Sequence, residues 1–176
     1  MALIKSVRGH SPRIGKNCFL ADTATIIGDV ELGDDCSVWF NAVIRGDVHY
    51  IRIGNRVNVQ DNASVHATYQ KSPTTIGNNV SIAHNAVVHG CTIHDNVLVG
   101  MGAVVMDDAV IESNSIIAAG AVVTQGTRVE TGCVYAGAPA KKVKSLGKDL
   151  LEGEVLRIAT NYSLYASWYK DEDQKK

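Results

Sequence analysis

The 176-residue chain sets 17 Lys and Arg against 18 Asp and Glu, for a formal charge of −1, with 45% apolar residues. That balance gives no electrostatic footprint for nucleic acid or an anionic membrane, and the length suits one domain with its own core and a small ligand. No stretch approaches the length of a membrane span, and residues 1–10, with Lys5 and Arg8 among them, build no apolar run of the signal-peptide kind, so a cytoplasmic protein is expected.

From Ile14 an aliphatic residue returns at every sixth position, through Leu20, Ile26, Leu32, Val38 and Ile44. The fifth place of each block holds Cys18, Ala24, Val30, Cys36, Ala42 or Val48. This period predicts one short strand and one corner per block. Three blocks then make a coil of about eighteen residues, and stacked coils form a triangular prism of parallel strands about 4.8 Å apart. The large aliphatic fills the interior and the small residue fits where the wall bends. Cys18, Cys36, Cys91 and Cys133 show no CxxC spacing, so they are read as core residues with no further role.

The count of six fails at three places. There are three residues too many between Ile44 and Ile53, five too many between Val65 and Ile76, and one too few between Val88 and Ile93. Defects in a repeat are where function is inserted. A second regular array runs through Ile93, Val99, Val105, Ile111, Ile117, Val123 and Val129. After Pro139 the pattern changes: Leu151, Val155, Ile158, Tyr162, Tyr165 and Tyr169 alternate spacings of four and three. That is one face of a helix, beginning near residues 147–149, with the charged tail 170–176 expected to fray. The prism is therefore assigned to residues 1–143, and the helix and tail packed on it to residues 144–176 of the same unit.

The defects bracket three histidines. His66 follows Val65 and His89 follows Val88, so both hold the second place of a block, on one face and one coil apart. Their separation is expected to be about 5 Å, and each could reach a shared ion at about 2.0–2.1 Å. His84 falls on the preceding face, near a corner, where it would not reach that ion within one chain. In a cyclic trimer, one face of each prism meets a different face of the next, and His84 would complete the site from a neighbouring subunit. His10, His49 and His94 are read as ordinary surface or core histidines.

Three segments carry a resemblance: RGDVHYIRIGNRVNVQDNASVHA at 45–67, IGNNVSIAHNAVVHGCTI at 76–93 and VLVGMGAVVMD at 97–107. They resemble the γ-class carbonic anhydrase family over nearly the whole chain. GAPAKKV at 137–143 fits too, although hexapeptide acyltransferases also carry it. The aliphatic-first pattern is similar to that of hexapeptide-repeat proteins, whose prisms wind to the left. The resemblance therefore implies an all-β, left-handed parallel β-helix, against the usual right hand of parallel crossovers.

The same resemblance implies a homotrimer in which His66, His84 and His89 bind Zn2+, or Fe2+ or Co2+, between subunits. It implies reversible hydration of carbon dioxide to bicarbonate. A cation on three neutral nitrogens with an open position lowers the pKa of water there toward about 7, making hydroxide available to attack carbon dioxide. It further implies that Gln60 hydrogen-bonds the hydroxide or a substrate oxygen, that Arg45 pairs with Asp61 across the interface, and that Asp47 supports this network. For Asp47 an ordinary interface salt bridge is the competing reading. Tyr162 is similar to a tyrosine that some members place near the metal, while its place on the apolar stripe of the helix also fits core packing. Asn58 has a like claim, but corner asparagines also serve turns with left-handed backbone angles.

One departure bears on rate. The best-known members place one glutamate directly after the Arg-x-Asp segment and another three residues past the first histidine, where they move protons. Val48 and Tyr69 stand there instead. A phenol carries protons poorly at neutral pH, so slow turnover is expected. Three other uses compete. One is metal-dependent hydrolysis, as by a thioesterase on an acyl-coenzyme A, which needs a wider groove. Another is acyl transfer without metal, with Lys141 and Lys142 on the coenzyme phosphates, for which three histidines are two too many. The last is a non-catalytic metal-binding trimer.

Overall fold

The computed structural model describes residues 1–173. The chain winds as a left-handed parallel β-helix of triangular section, followed by a single C-terminal helix. Its interior ladders follow the period of six. On the first face Ile26 pairs with Ile44, Ile44 with Val65, Val65 with Val88, Val88 with Val105 and Val105 with Val123. On the second, Leu32, Ile53, Ile76, Ile93, Ile111 and Val129 stack in the same way. All of these are buried in one continuous core, and each contributes about 1.5–3 kcal/mol by leaving water. The third face is an eight-stranded sheet, parallel except where Lys141–Ser145 folds back against Cys133–Ala136 and closes the end of the prism.

A corner between faces shows why glycine and short polar residues recur. Gly15, Gly33, Gly54 and Gly77 stack one coil apart, and a Cβ at Gly54 would lie 2.8 Å from the carbonyl of Gly77. The next residue in each coil knits the stack together. Backbone N–H groups of Lys16, Asp34, Asn55 and Asn78 donate to the side-chain oxygens of Asp34, Asn55, Asn78 and Asp95 at 2.6–2.9 Å. One position further on, Asn79, Asn96 and Asn114 take φ of 55–58° and link side chain to side chain at 2.9 and 3.0 Å. Asparagine tolerates this left-handed backbone better than other residues with a side chain.

The helix opens at Lys148–Leu150, widens to π geometry over Leu151–Leu156 and runs on as an α-helix through Arg157–Asp173. It lies along the third face, where Phe19, Ala21 and Trp39 pack with Ala166, Tyr162 and Tyr165. The rings of Trp39 and Tyr162 meet edge to face at 5.2 Å. The helix extends into the charged tail. Residues 170–173 remain helical, and Lys170 Nζ donates to the Asn17 carbonyl at 2.6 Å, tying the last turns to the first coil. Residues 174–176, also assigned to the tail, lie outside the described residues. Among the described residues no helix is long and apolar enough to cross a membrane.

Candidate metal centre

His66 ends the strand Ser64–His66 and His89 the strand Val87–His89, and the two residues pair in register. The inward Val65 and Val88 anchor the strands, so alternation sends both imidazoles outward on the first face. Ring centroids are 5.1 Å apart, and His66 Nδ1 lies 3.1 Å from His89 Nε2. Two nitrogens bound to one tetrahedral ion are separated by about 3.3–3.4 Å for bonds of about 2.0–2.1 Å. The pair therefore fits a shared ion with only slight opening.

The outer nitrogens are held. His66 Nε2 is 3.1 Å from Asp47 Oδ1, and Asp47 Oδ2 accepts from Arg45 Nη1 at 2.6 Å. His89 Nδ1 is 2.5 Å from Asp107 Oδ1. His84 follows the strand Ser81–Ile82 on the third face; its Nδ1 is 2.9 Å from Asp61 Oδ2, and its Nε2 is 3.4 Å from the Tyr162 hydroxyl. Each imidazole thus has one nitrogen against its own carboxylate, which fixes the ring and leaves the other nitrogen to bind. Within the single chain, among the described residues, no group of three or more His, Cys, Asp or Glu is arranged to hold one ion.

Arg45 and Asp61, expected as partners across an interface, each have other company within the chain. Arg45 is paired with Asp47, while Asp61 is shared between His84 and the Phe40 backbone N–H. Gln60 is 3% exposed and lines a groove with His84 and Tyr162. Its Nε2 donates to Asn58 Oδ1 at 2.9 Å, and Asn58 Nδ2 donates to Ser81 Oγ at 2.8 Å. This chain of donors commits the Gln60 amide nitrogen and leaves Oε1 as an acceptor. Asn58 is therefore not a corner asparagine: it lies in the strand Asn58–Val59, 1% exposed. Asp107 and Thr68 were also missed by sequence reasoning, although Asp107 closes the 97–107 segment that carried the resemblance.

The site's ionisation follows from these contacts. Burial pushes the Asp107 carboxyl up, but hydrogen bonds from Thr68 and His89 outweigh it and hold it below the usual carboxylate range. Asp47 behaves likewise, with Arg45 and His66 overcoming its burial. Burial lowers His66, and Asp47 only partly offsets this. Tyr162 is pushed up to about 12, first by burial and then by the Asp61 charge. Cys91, 2% exposed, is pushed up to about 12 by burial, which makes it an inert thiol.

The shifts of Asp47, Asp107 and His66 share one sign. Each lowered group binds fewer protons folded than unfolded, so its stabilisation is present above its ordinary pKa and is lost as pH falls through the lowered value. The metal-free protein is expected to lose stability progressively from about pH 6.5, where His66 begins to matter, and further below about pH 4, where the carboxylates do. Urea midpoints that stay constant between pH 7 and 3 would contradict this.

Residues 11–46 and 90–125 match the bacterial transferase hexapeptide (six repeats) family, and 73–106 match the hexapeptide repeat of succinyl-transferase. Fold and repeat together define a hexapeptide-repeat protein. The chain is 37% identical to a carbonic anhydrase of Geobacillus kaustophilus, covering 99% of this chain and 94% of that one. It is 39% identical to the mitochondrial γ carbonic anhydrase 1 of Arabidopsis thaliana over 98% of its own length, but spans only 64% of that relative. A solved candidate acetyltransferase of Bacillus cereus superposes with a TM-score of 0.93 at 36% identity, covering 97% of this chain and 98% of that one. The chain belongs to the γ-class carbonic anhydrase-like family of hexapeptide-repeat proteins.

Proposed function

We propose that the protein is a metal-dependent carbonic anhydrase, interconverting carbon dioxide and bicarbonate as a homotrimer in which His84 of one subunit completes the His66 and His89 pair of the next. One observation carries this reading: three imidazoles each have one nitrogen against a separate carboxylate and the other left to bind. The relatives named as carbonic anhydrases support it. Support for the trimer comes from the first face, where Val43, Val87, Val104 and Val122 form an outward, half-buried stripe beside the histidines, with Met106 40% exposed. Such a stripe is better covered than left in water. Contacts between unlike faces of a threefold prism close into a ring.

Zn2+ suits the nitrogen donors, with Fe2+ and Co2+ as alternatives, and a bound cation would make hydroxide available near neutral pH. The chain's own groups orient the reactants. Gln60 Oε1 accepts from an incoming hydroxyl and so turns its lone pair toward carbon dioxide. Tyr162, kept protonated by burial, offers a donor beside His84 to a substrate oxygen. Arg45, braced by Asp47, places positive charge near where bicarbonate develops.

Proton export is the weak step, because Val48 and Tyr69 replace acidic carriers. Hydration followed by stopped flow on anaerobically purified, metal-assayed protein is therefore expected to rise several-fold as imidazole buffer is increased. Metal at about one per subunit without any hydration would sink the reading.

A second reading has an observation of its own. A groove of about 410 Å³ between helix and prism, lined by Leu98, Met101, Ile116 and Ile158, opens beside His84. It is wide enough for a small acyl group, which points to hydrolysis or transfer of an acyl ester or thioester. Turnover of acyl thioesters in the absence of carbon dioxide hydration would favour it, and metal with neither activity would leave a metal-binding trimer.

A further inference from the structure

Two of the three breaks in the repeat converge on one carboxylate. The break after Val65 lodges an extra loop, whose Thr68 Oγ1 donates to Asp107 Oδ2 at 2.5 Å. The break after Val88 removes a residue, so the chain turns at Gly90 with φ of +55°. A side chain there would collide with Asp107 Oδ1, so only glycine lets the next coil's carboxylate come up to His89. Oδ1 stands 2.5 Å from His89 Nδ1 as a result. The loop is itself fixed: Ser72 Oγ donates to Asp108 Oδ1 at 2.6 Å, Thr74 Oγ1 to the His66 carbonyl at 2.5 Å, and Asp108 N–H to the Gly90 carbonyl at 2.7 Å.

We infer that Asp107 is the positioning residue of His89: it accepts the Nδ1 proton, keeps Nε2 unprotonated and turns that nitrogen toward His66 Nδ1, with Thr68 and Gly90 holding it in place. Imidazole has one proton to give when neutral, so an acceptor at Nδ1 decides which nitrogen is free. The consequence for metal binding rests on the proposed function, whereas the tautomer does not. Asp47 and Asp61 stand in the same relation to His66 and His84, but the first also braces Arg45 and the second also binds the Phe40 backbone. Asp107 divides its two oxygens between His89 and Thr68, which suits a residue whose task is to orient one ring.

The test uses the full chain and two readouts. In metal-free protein, long-range 1H–15N correlations of the imidazoles report each tautomer; zinc affinity is measured by competition with a chromophoric chelator. Wild-type His89 is expected in the Nδ1–H form. Asp107→Ala is expected to mix the tautomers of His89 alone and to lower zinc affinity about 10–100-fold, the usual effect of losing a ligand's outer partner. Thr68→Val, which keeps the side chain's shape and removes its hydroxyl, is expected to shift both readouts in the same direction by less, and it decides the matter if Asp107→Ala does not fold. A folded variant that keeps the wild-type tautomer and binds zinc within twofold overturns the inference. If the wild-type chain binds no zinc, the metal reading fails while the tautomer still decides the role of Asp107.

Discussion

On the proposed function, zinc binding and carbon dioxide hydration are both expected to fall by more than about 100-fold in His89→Ala and in His66→Ala, with the fold retained. The magnitude follows from the ligand count. With the proposed ligands, removing one of three nitrogens would leave an ion with two, too few to hold it at low concentration or to make its water acidic near neutral pH. The fold should survive because the packing at these places is done by Val65 and Val88, both buried, whereas the His66 and His89 side chains are 22% and 34% exposed. His94→Ala is the control: on the second face, with Glu112 3.8 Å away, it should leave both readouts unchanged. Zinc stoichiometry by mass spectrometry and stopped-flow hydration on the same samples check the set, and a His89→Ala protein with wild-type zinc content would rule out the assigned ligands.

Gly54→Val is expected to damage the fold strongly, costing about 3 kcal/mol. A Cβ at this corner would stand 2.8 Å from Asn78 Oδ1 and from the carbonyl of Gly77, in the next coil. Neither neighbour can retreat cheaply, because Asn78 accepts from the Asn55 backbone at 2.9 Å and Gly77 N–H bonds to Ile93 at 2.7 Å. Valine adds two methyl groups to that collision. Gly153, in the opening turns of the helix, has open space around it, and Gly153→Ala is expected to stabilise by up to about 1 kcal/mol. Urea denaturation of the two variants beside the wild type tests the contrast, and equal midpoints would show that the corner stack is not close-packed.

The period of six made the prism legible because each block buries one aliphatic on one side of the wall, so an error of one residue would expose an entire ladder. The same count set His66 and His89 in register and His84 on the adjoining face. It could not show that the wall runs unbroken through a corner. Thr25–Leu32 and Val43–Ile53 are each one continuous strand, with the register shifting between Gly28 and Val30 to absorb the extra residues. The sequence left Asn58 open between site and corner because asparagine is common at corners, as at Asn62, Asn85 and Asn96 with positive φ, and the type alone does not tell a turn from a buried strand. Asp107 was hidden for a different reason. Its contact with His89 reaches from one coil to the next and depends on both a missing residue at Gly90 and an inserted loop at Thr68, breaks that the count locates without showing which side chains they bring together.

Subunit complementation tests the shared centre most directly. His84→Ala and His89→Ala chains are each expected to bind almost no zinc, because every interface lacks one ligand. Unfolded together and refolded as mixed trimers, they should regain zinc at about one quarter of the interfaces, those where an intact His84 meets an intact His66 and His89. Recovery of zinc and hydration on mixing is the predicted result. Zinc bound by the His84→Ala chain alone at wild-type level, or a mixed trimer that regains none while the wild type binds it, would contradict a centre built between subunits.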